Sequence, residues 1–456
     1  MRVSPAEVVD PSSDPRDEPG GHLLPQGEKE TRPNGAPRLS RRALLGGLGA
    51  VPLALALPRP AIGQARPKVV VVGGGFGGAT AARELKRAGI DVTLVEASRT
   101  YAACPFSNEV IAGLRPMEAQ LFGYDAIRRE GVDVVIQSAT RVDAEARRVT
   151  LADGALLPYD RLVLSPGIDL RFDALPGYEE DAAERMPHAW KAGPQTLLMR
   201  QQLEAMEDGG TVVMSVPANP YRCPPGPYER ASLIAHFLKT RKPRSKLLVL
   251  DAKDVFSKQR LFEQGWKALY PTHLEYVPLA GGGQVTSVEP GTRTFVTDFG
   301  RHAASVANVI PPQRAGRIAE AAGVADRSGW CPIDPVTFES RLRPNIHVIG
   351  DAVIAGGMPK SAFSANAQAK VCAAAIADLL AGRQPVSPKL INTCYSLVAP
   401  GYGISVAGVY RPRNGVLADV EGAGGTSPID APPETRRLEA AYAEDWFRTI
   451  TTDVFG

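Results

Sequence analysis

The sequence predicts an α/β protein with two Rossmann-like dinucleotide-binding domains and a C-terminal α+β interface domain. Three observations carry that prediction: a β-branched run entering a glycine turn at residue 73, a second strand–helix–strand layout near residue 211 that lacks the glycines, and a late strand running into Gly350-Asp351. The 456 residues, 44% hydrophobic and 22% charged, suffice for two or three domains with a sizeable core. With 52 basic against 49 acidic side chains the formal charge is +3, too even for a nucleic-acid-binding field or an acidic shell.

Residues 1–39 are rich in Pro, Gly, Asp, Glu and Ser without an apolar period, and are expected to be disordered. Ser40-Arg41-Arg42-Ala43-Leu44-Leu45 then leads into an apolar run from Gly46 to Leu57 and small residues ending at Ala65. This is the layout of a twin-arginine export signal over 1–65, which predicts a periplasmic protein. The run is too short for a membrane span and carries Pro52 and Pro58. No later segment reaches eighteen apolar residues, so no stable membrane insertion is expected. Removing 1–65 takes away eight basic and seven acidic side chains and leaves 44 against 42. The compartment is one in which a disulfide persists.

Lys68-Val69-Val70-Val71-Val72 reads as a parallel strand buried on both faces. Gly73, Gly75 and Gly78 complete G-x-G-x-x-G, giving a tight turn, a close backbone approach to a pyrophosphate and close helix–strand packing. A helix over Ala79–Ala88 would hold phosphate at its N-terminus. The strand Asp91–Glu96 ends in an acid placed to bind the adenosine ribose. NAD and FAD share this fingerprint. Asn345–Ala352 favours FAD, because in flavoproteins with two dinucleotide domains a strand entering Gly-Asp sets the aspartate, here Asp351 after Gly350, on the ribityl chain. Tyr159–Gly167 matches the strand at which the chain leaves such a domain.

The second layout comprises a strand over Gly210–Val216, a helix over Arg230–Thr240 and a strand over Lys246–Leu250. Its turn is Pro217-Ala218-Asn219-Pro220-Tyr221-Arg222-Cys223-Pro224-Pro225-Gly226-Pro227. Prolines lack the amide donors that a pyrophosphate needs, so NAD(P)H is not expected. No C-x-x-C-H occurs, so no haem is expected on this chain, and the six histidines show no metal spacing.

From Lys68 to Gly456 the chain resembles the flavoprotein subunit of flavocytochrome c sulfide dehydrogenase, a relative of the sulfide:quinone reductases within the glutathione-reductase-like flavoproteins. The resemblance rests on Cys104-Pro105-Phe106-Ser107-Asn108-Glu109, Arg222-Cys223-Pro224-Pro225-Gly226-Pro227-Tyr228-Glu229-Arg230, Met358-Pro359-Lys360-Ser361 and Asn392-Thr393-Cys394-Tyr395-Ser396. It implies a thioether from Cys104 to the flavin, a redox-active disulfide between Cys223 and Cys394, and an acid–base role for Glu229 beside them. It also implies a cytochrome c subunit as partner and sulfide as substrate.

The residues themselves leave more open. Cys104 is a small hydrophobe near FAD by spacing alone. Cys223 lies in a proline-stiffened loop and Cys394 in what reads as a polar loop, settings that suit reactive sulfurs. A structural disulfide between them would close about 170 residues, worth roughly 4–5 kcal/mol. Lys360 is placed to set positive charge near the flavin N1–O2 edge. Cys372 and Cys331 read as buried thiols.

The expected reaction is attack of hydrosulfide on the Cys223–Cys394 disulfide, a persulfide on one sulfur, and two electrons passed to FAD and on to the cytochrome. Two alternatives stand beside it: a sulfide:quinone reductase, and an FAD- and cytochrome-binding subunit that does not turn over sulfide. The expected domains are 66–175 plus 296–382 for FAD, 176–295 for the degenerate NAD-like domain and 383–456 for the C-terminal domain, with a surface loop over Gly422–Pro433.

Overall fold

The computed structural model describes residues 66–456; the leader expected over 1–65 lies outside the described residues. The first sheet is parallel, in the order Ile346–Val348, Arg161–Leu164, Lys68–Val72, Asp91–Glu96, Asp133–Ile136. The valines at 69–72 are buried on both faces of its central strand, each contributing about 1.5–3 kcal/mol through burial. The helix Phe76–Arg87 starts three residues earlier than expected, directly after Gly75. It packs on the long helix Ala362–Leu380.

The second sheet repeats the pattern in the order Leu274–Val277, Lys246–Asp251, Thr211–Val216, Val306–Val309, all parallel. Because Val306–Val309 belongs to it, the second domain runs past residue 295. A boundary at 295/296 would cut the strand Thr294–Thr297, which sits between Val285–Glu289 and Gly300–Ala303 in an antiparallel sheet. The chain returns to the first domain at Gln313–Ala315, which pairs with Ile168–Leu170.

The helix of the second unit spans Gly226–Arg241, four residues earlier than its apolar pattern suggests. Pro227 sits at its start and Glu229 in its first turn, the positions where a missing amide costs nothing and a carboxylate meets the positive end of the helix dipole.

The C-terminal unit is the antiparallel sheet Leu390–Ala399, Tyr402–Arg413, Val416–Asp419, closed by the helix Pro433–Phe455. Residues 422–433 between them are largely exposed, apart from the buried Ser427. The helix ends inside the first domain. Phe455 stacks on Tyr101 at 5.4 Å and Phe122 at 5.2 Å between ring centres, and meets Phe76 edge-on at 5.7 Å. The buried Arg83 of the glycine helix donates to the Asp453 carbonyl at 2.7 Å.

Candidate active site

At the first turn, Gly73 has φ +99° and a Cβ there would strike the Ser165 carbonyl; one at Gly78 would strike the Gly73 carbonyl. Only glycine permits this approach of helix to strand. Glu96 closes the turn, its carboxylate accepting from the Gly74 amide at 2.6 Å and the Ser98 amide at 3.0 Å. Gly350 has φ +77° and donates its amide to Gln368 at 2.8 Å, which turns the chain so that Asp351 follows. Asp351 is deeply enclosed and its Oδ1 is buried with no hydrogen-bond partner. Burial pushes its pKa up, opposed by the charges of Arg222 and Lys360. A buried acceptor without a donor, beside a turn that only glycine can make, fits a ribityl hydroxyl and a pyrophosphate. FAD suits these residues.

Cys104 is half-buried, with Sγ 3.9 Å from the Trp190 carbonyl. The Arg222 guanidinium donates to the same carbonyl, so the expected tether and a half-buried cation converge on one oxygen. The charges of Cys104, Asp351 and Tyr101 hold Arg222 protonated against the cost of its burial. Lys360 stands beside the Asp351 turn. Its ammonium donates to the Asp351 and Val353 carbonyls at 2.8 and 2.6 Å and lies 3.8 Å from the centre of the Trp330 ring. Burial brings its pKa down to about 8. Through its backbone carbonyl Lys360 also accepts from the Cys223 amide at 2.8 Å.

Cys223 has φ +57° in the loop before the Gly226–Arg241 helix. A Cβ on Gly226 would lie 3.0 Å from its sulfur, so glycine leaves that sulfur room. Burial, then the charges of Cys394 and Glu229, push the Cys223 thiol well up from its ordinary value. Cys394 stands in the middle of the strand Leu390–Ala399 rather than in a loop. The polar run misleads because its side chains have polar partners. Asn392 Oδ1 accepts from Ser361 Oγ at 2.6 Å and Ser364 Oγ at 3.1 Å, leaving its Nδ2 to donate to Cys394 Sγ at 3.3 Å. All five cysteines carry free sulfurs in this structure, and Cys331 and Cys372 are in the core.

Glu229 joins three segments. Its Oε1 accepts from the Leu397 amide on the Cys394 strand, and its Oε2 from Asn108 Nδ2 on the Cys104 segment, each at 2.9 Å. Arg230 fixes that amide by donating to Asn108 Oδ1 at 3.0 Å. Burial raises the Glu229 pKa while these two donors hold it down, the poise expected of a group that exchanges protons.

Sequence reasoning missed Lys258, Asn392, Asn108 and Arg222 as site residues. Asn108 and Arg222 stand in the segments that carried the resemblance. Asn392 does too, in the Cys394 segment, whereas Lys258 shows no local signal, because its role depends on contacts with a distant strand. Lys258 Nζ donates to the Cys394 carbonyl at 2.9 Å and Ser396 Oγ at 2.8 Å.

Where a second nucleotide would bind, Asp251 ends its strand as Glu96 ends the first. Asp251 is fully buried and accepts from Tyr228 Oη at 2.6 Å, Tyr276 Oη at 3.1 Å and Lys253 Nζ at 2.6 Å. Tyr228 stacks on Phe256 with ring centres 3.5 Å apart.

Comparison with known proteins places these features in a family. Residues 196–311 match the model of the sulfide dehydrogenase [flavocytochrome c] flavoprotein chain, central; residues 386–455 match flavocytochrome c sulphide dehydrogenase, flavin-binding; and residues 67–194 match pyridine nucleotide-disulphide oxidoreductase. A flavoprotein chain of sulfide dehydrogenase [flavocytochrome c] from Chlorobaculum thiosulfatiphilum is 56% identical over 45 residues, which are 9% of this chain and 94% of that one. The mitochondrial sulfide:quinone oxidoreductase of Mus musculus is 22% identical over 345 residues, 70% of this chain and 72% of its own. Among solved structures, the sulfide:quinone oxidoreductase of Aquifex aeolicus shares the fold with TM-score 0.68 and 17% identity, over 85% of this chain and 92% of that one.

Proposed function

Because the chain belongs to the flavoprotein-chain family of flavocytochrome c sulfide dehydrogenase, FAD-dependent oxidoreductases that oxidise sulfide, we propose that it is a periplasmic, twin-arginine-exported sulfide dehydrogenase. Cys223 and Cys394 form its redox disulfide, and its electrons leave to a cytochrome c subunit. The observation that carries this reading is the meeting of the Cys223 loop and the Cys394 strand at Glu229, a half-buried carboxylate that also bonds the Cys104 segment.

Hydrosulfide attacks the disulfide at Cys223. A new S–S bond forms, the old one breaks with its electron pair on Cys394, and the products are a Cys223 persulfide and a Cys394 thiolate. A second hydrosulfide removes the outer sulfur as HSS⁻, leaving the dithiol. Glu229 takes up and returns protons at Oε1 or Oε2 as the sulfurs change charge. FAD supplies a two-electron acceptor for the dithiol and a route to single-electron partners. Gly73, Gly75, Gly78 and Glu96 would hold its adenosine diphosphate half and Asp351 its ribityl chain, while Cys104 would tether the ring. Lys360 supports the Asp351 turn and the Cys223 backbone and would add positive charge toward the flavin.

NAD(P)H has no part in this reading: prolines replace the second glycine turn and Tyr228 covers Asp251. The likeness to quinone enzymes favours a second reading with the same sulfur chemistry and a quinone acceptor. No helix among the described residues is long and apolar enough to cross a membrane. Anaerobic sulfide added to the flavin-loaded protein is expected to bleach the flavin, and cytochrome c, rather than a soluble quinone, to restore it. Flavin that stays oxidised with sulfide, or a Cys223→Ser variant that still bleaches, refutes the disulfide route.

A further inference from the structure

Lys258 has a lysine's cost and no ordinary reason to bear it. It precedes the helix Gln259–Leu269 with φ +63°, a left-handed conformation that β-carbon residues avoid unless their surroundings enforce it. Its side chain is 7% exposed. The ammonium donates to the Cys394 carbonyl at 2.9 Å, Ser396 Oγ at 2.8 Å and the Ile404 carbonyl at 3.5 Å, all of them neutral oxygens. A buried cation held by neutral oxygens and the face of Phe262, 5.8 Å from its ring centre, is destabilising, and an apolar side chain of similar length would avoid the penalty.

The charged groups facing it come from four elements: Cys394 on its strand, Glu229 on the Gly226–Arg241 helix, Cys223 in its loop and Glu439 on the C-terminal helix. Both carboxylates are engaged elsewhere. Glu229 holds the Leu397 amide and Asn108, and Glu439 accepts from Ser405 at 2.9 Å, from Ser427 and from Arg436. The neighbours whose charge changes during sulfide oxidation are the sulfurs, where negative charge first forms, and Glu229, which exchanges protons with them. Each opening of the disulfide puts one negative charge on sulfur, and the ammonium is already fixed beside the strand that carries it.

We propose that Lys258 is a positioning residue of the sulfur pair: its buried ammonium, locked onto the Cys394 strand, stabilises the Cys394 thiolate released when hydrosulfide opens the disulfide. It acts through its field and through the strand, and Asn392 Nδ2 makes the direct contact to the sulfur. Burial brings the Lys258 pKa down to about 8, with Cys394 foremost among the charges that resist the fall. The proposal rests on the reading of Cys223 and Cys394 as the redox pair, and the experiment separates the two.

The full-length flavin-loaded protein is reduced, and alkylation of Cys394 and Cys223 by iodoacetamide is followed by peptide mass spectrometry from pH 5 to pH 10. Removing a nearby opposite charge shifts a pKa by about one unit or more, so Lys258→Met is expected to raise the Cys394 midpoint and to leave about tenfold less thiolate at neutral pH. Lys258→Arg is expected to restore it. Lys258→Gln, which keeps a donor for the Cys394 carbonyl without the charge, replaces the Met variant if that does not fold, and the same shift is expected. An unshifted Cys394 profile in a folded, uncharged variant overturns the proposal and leaves Lys258 as a strut. In parallel, oxidised wild-type protein is alkylated: protection of both cysteines supports the pairing, whereas continued alkylation of both overturns the redox-pair reading irrespective of the Lys258 result.

Discussion

The two dinucleotide-like halves share a frame and differ in one turn. In each, a central parallel strand is flanked by a six-residue strand ending in an acid, Glu96 in one and Asp251 in the other. Glu96 is half-buried and closes a glycine turn through the Gly74 amide. Asp251 is sealed under Tyr228, Tyr276 and Lys253, with Phe256 stacked on Tyr228. Both sheets present a carboxylate at this strand end. The turn decides whether that carboxylate meets a ligand or the protein's own side chains. In the second half the turn carries prolines and Cys223 where the first carries glycines.

The comparison breaks hardest at the first turn. Gly78→Ala drives a Cβ into the Gly73 carbonyl, and we expect the purified variant to lose its flavin absorbance altogether; a variant that keeps full flavin content would show the turn to be dispensable. Cys104→Ala is expected to keep flavin in the folded protein but release it into the supernatant on acid precipitation, where wild type retains it on the peptide. Flavin that stays with the Cys104→Ala peptide would exclude a thioether at this residue.

The second half should resist conversion. Tyr228→Phe removes one donor from the buried Asp251, and we expect a loss of about 1–3 kcal/mol of stability in urea titration. Neither wild type nor this variant should have its flavin reduced by NADH; reduction by NADH would place a working nucleotide site where none is expected.

The smallest effect compares the two halves under acid. His347 in the first sheet is held neutral by burial with its pKa near 4, and His188 beside the second sheet with its pKa near 3. Both folded values lie below that of an unfolded histidine, so the unfolded chain binds more protons as pH falls below about 6.5. Their stabilisation is complete above that pH and lost as pH drops towards 4 and 3, each adding at most about 1.4 kcal/mol per pH unit to the slope. Replacing either with Asn should flatten the decline of the urea midpoint between pH 6.5 and 4.5; an unchanged slope would mean that the histidine is protonated in the fold.

What the sequence made legible follows from range. The valine run, the glycine turn, the terminal acids and Gly350-Asp351 are each decided within about ten residues, by strand burial, by backbone clashes and by turn geometry. Cys394 was misread because a polar stretch resembles a loop until the partners of Asn392 and Ser396 are known, and those are Ser361, Ser364 and Lys258. The helix at Gly226 was started late because its first turn is marked by Pro227 and Glu229 rather than by apolar spacing. Lys258, set between Ser257 and Gln259, reads as one more surface charge.

The C-terminal helix sets an order of assembly. Arg83 waits 370 positions for its acceptor at Asp453, and Tyr101, Phe122 and Phe76 likewise wait for Phe455 at the far end of the chain. During synthesis the nucleotide-binding half therefore emerges early but stands with an open aromatic socket until the far end of the chain arrives. Contacts of such sequence separation form late and slowly, so the socket closes only once the last helix has been made. A chain cut short before the final helix would keep its glycine turn and lack the wedge that closes the socket beside it.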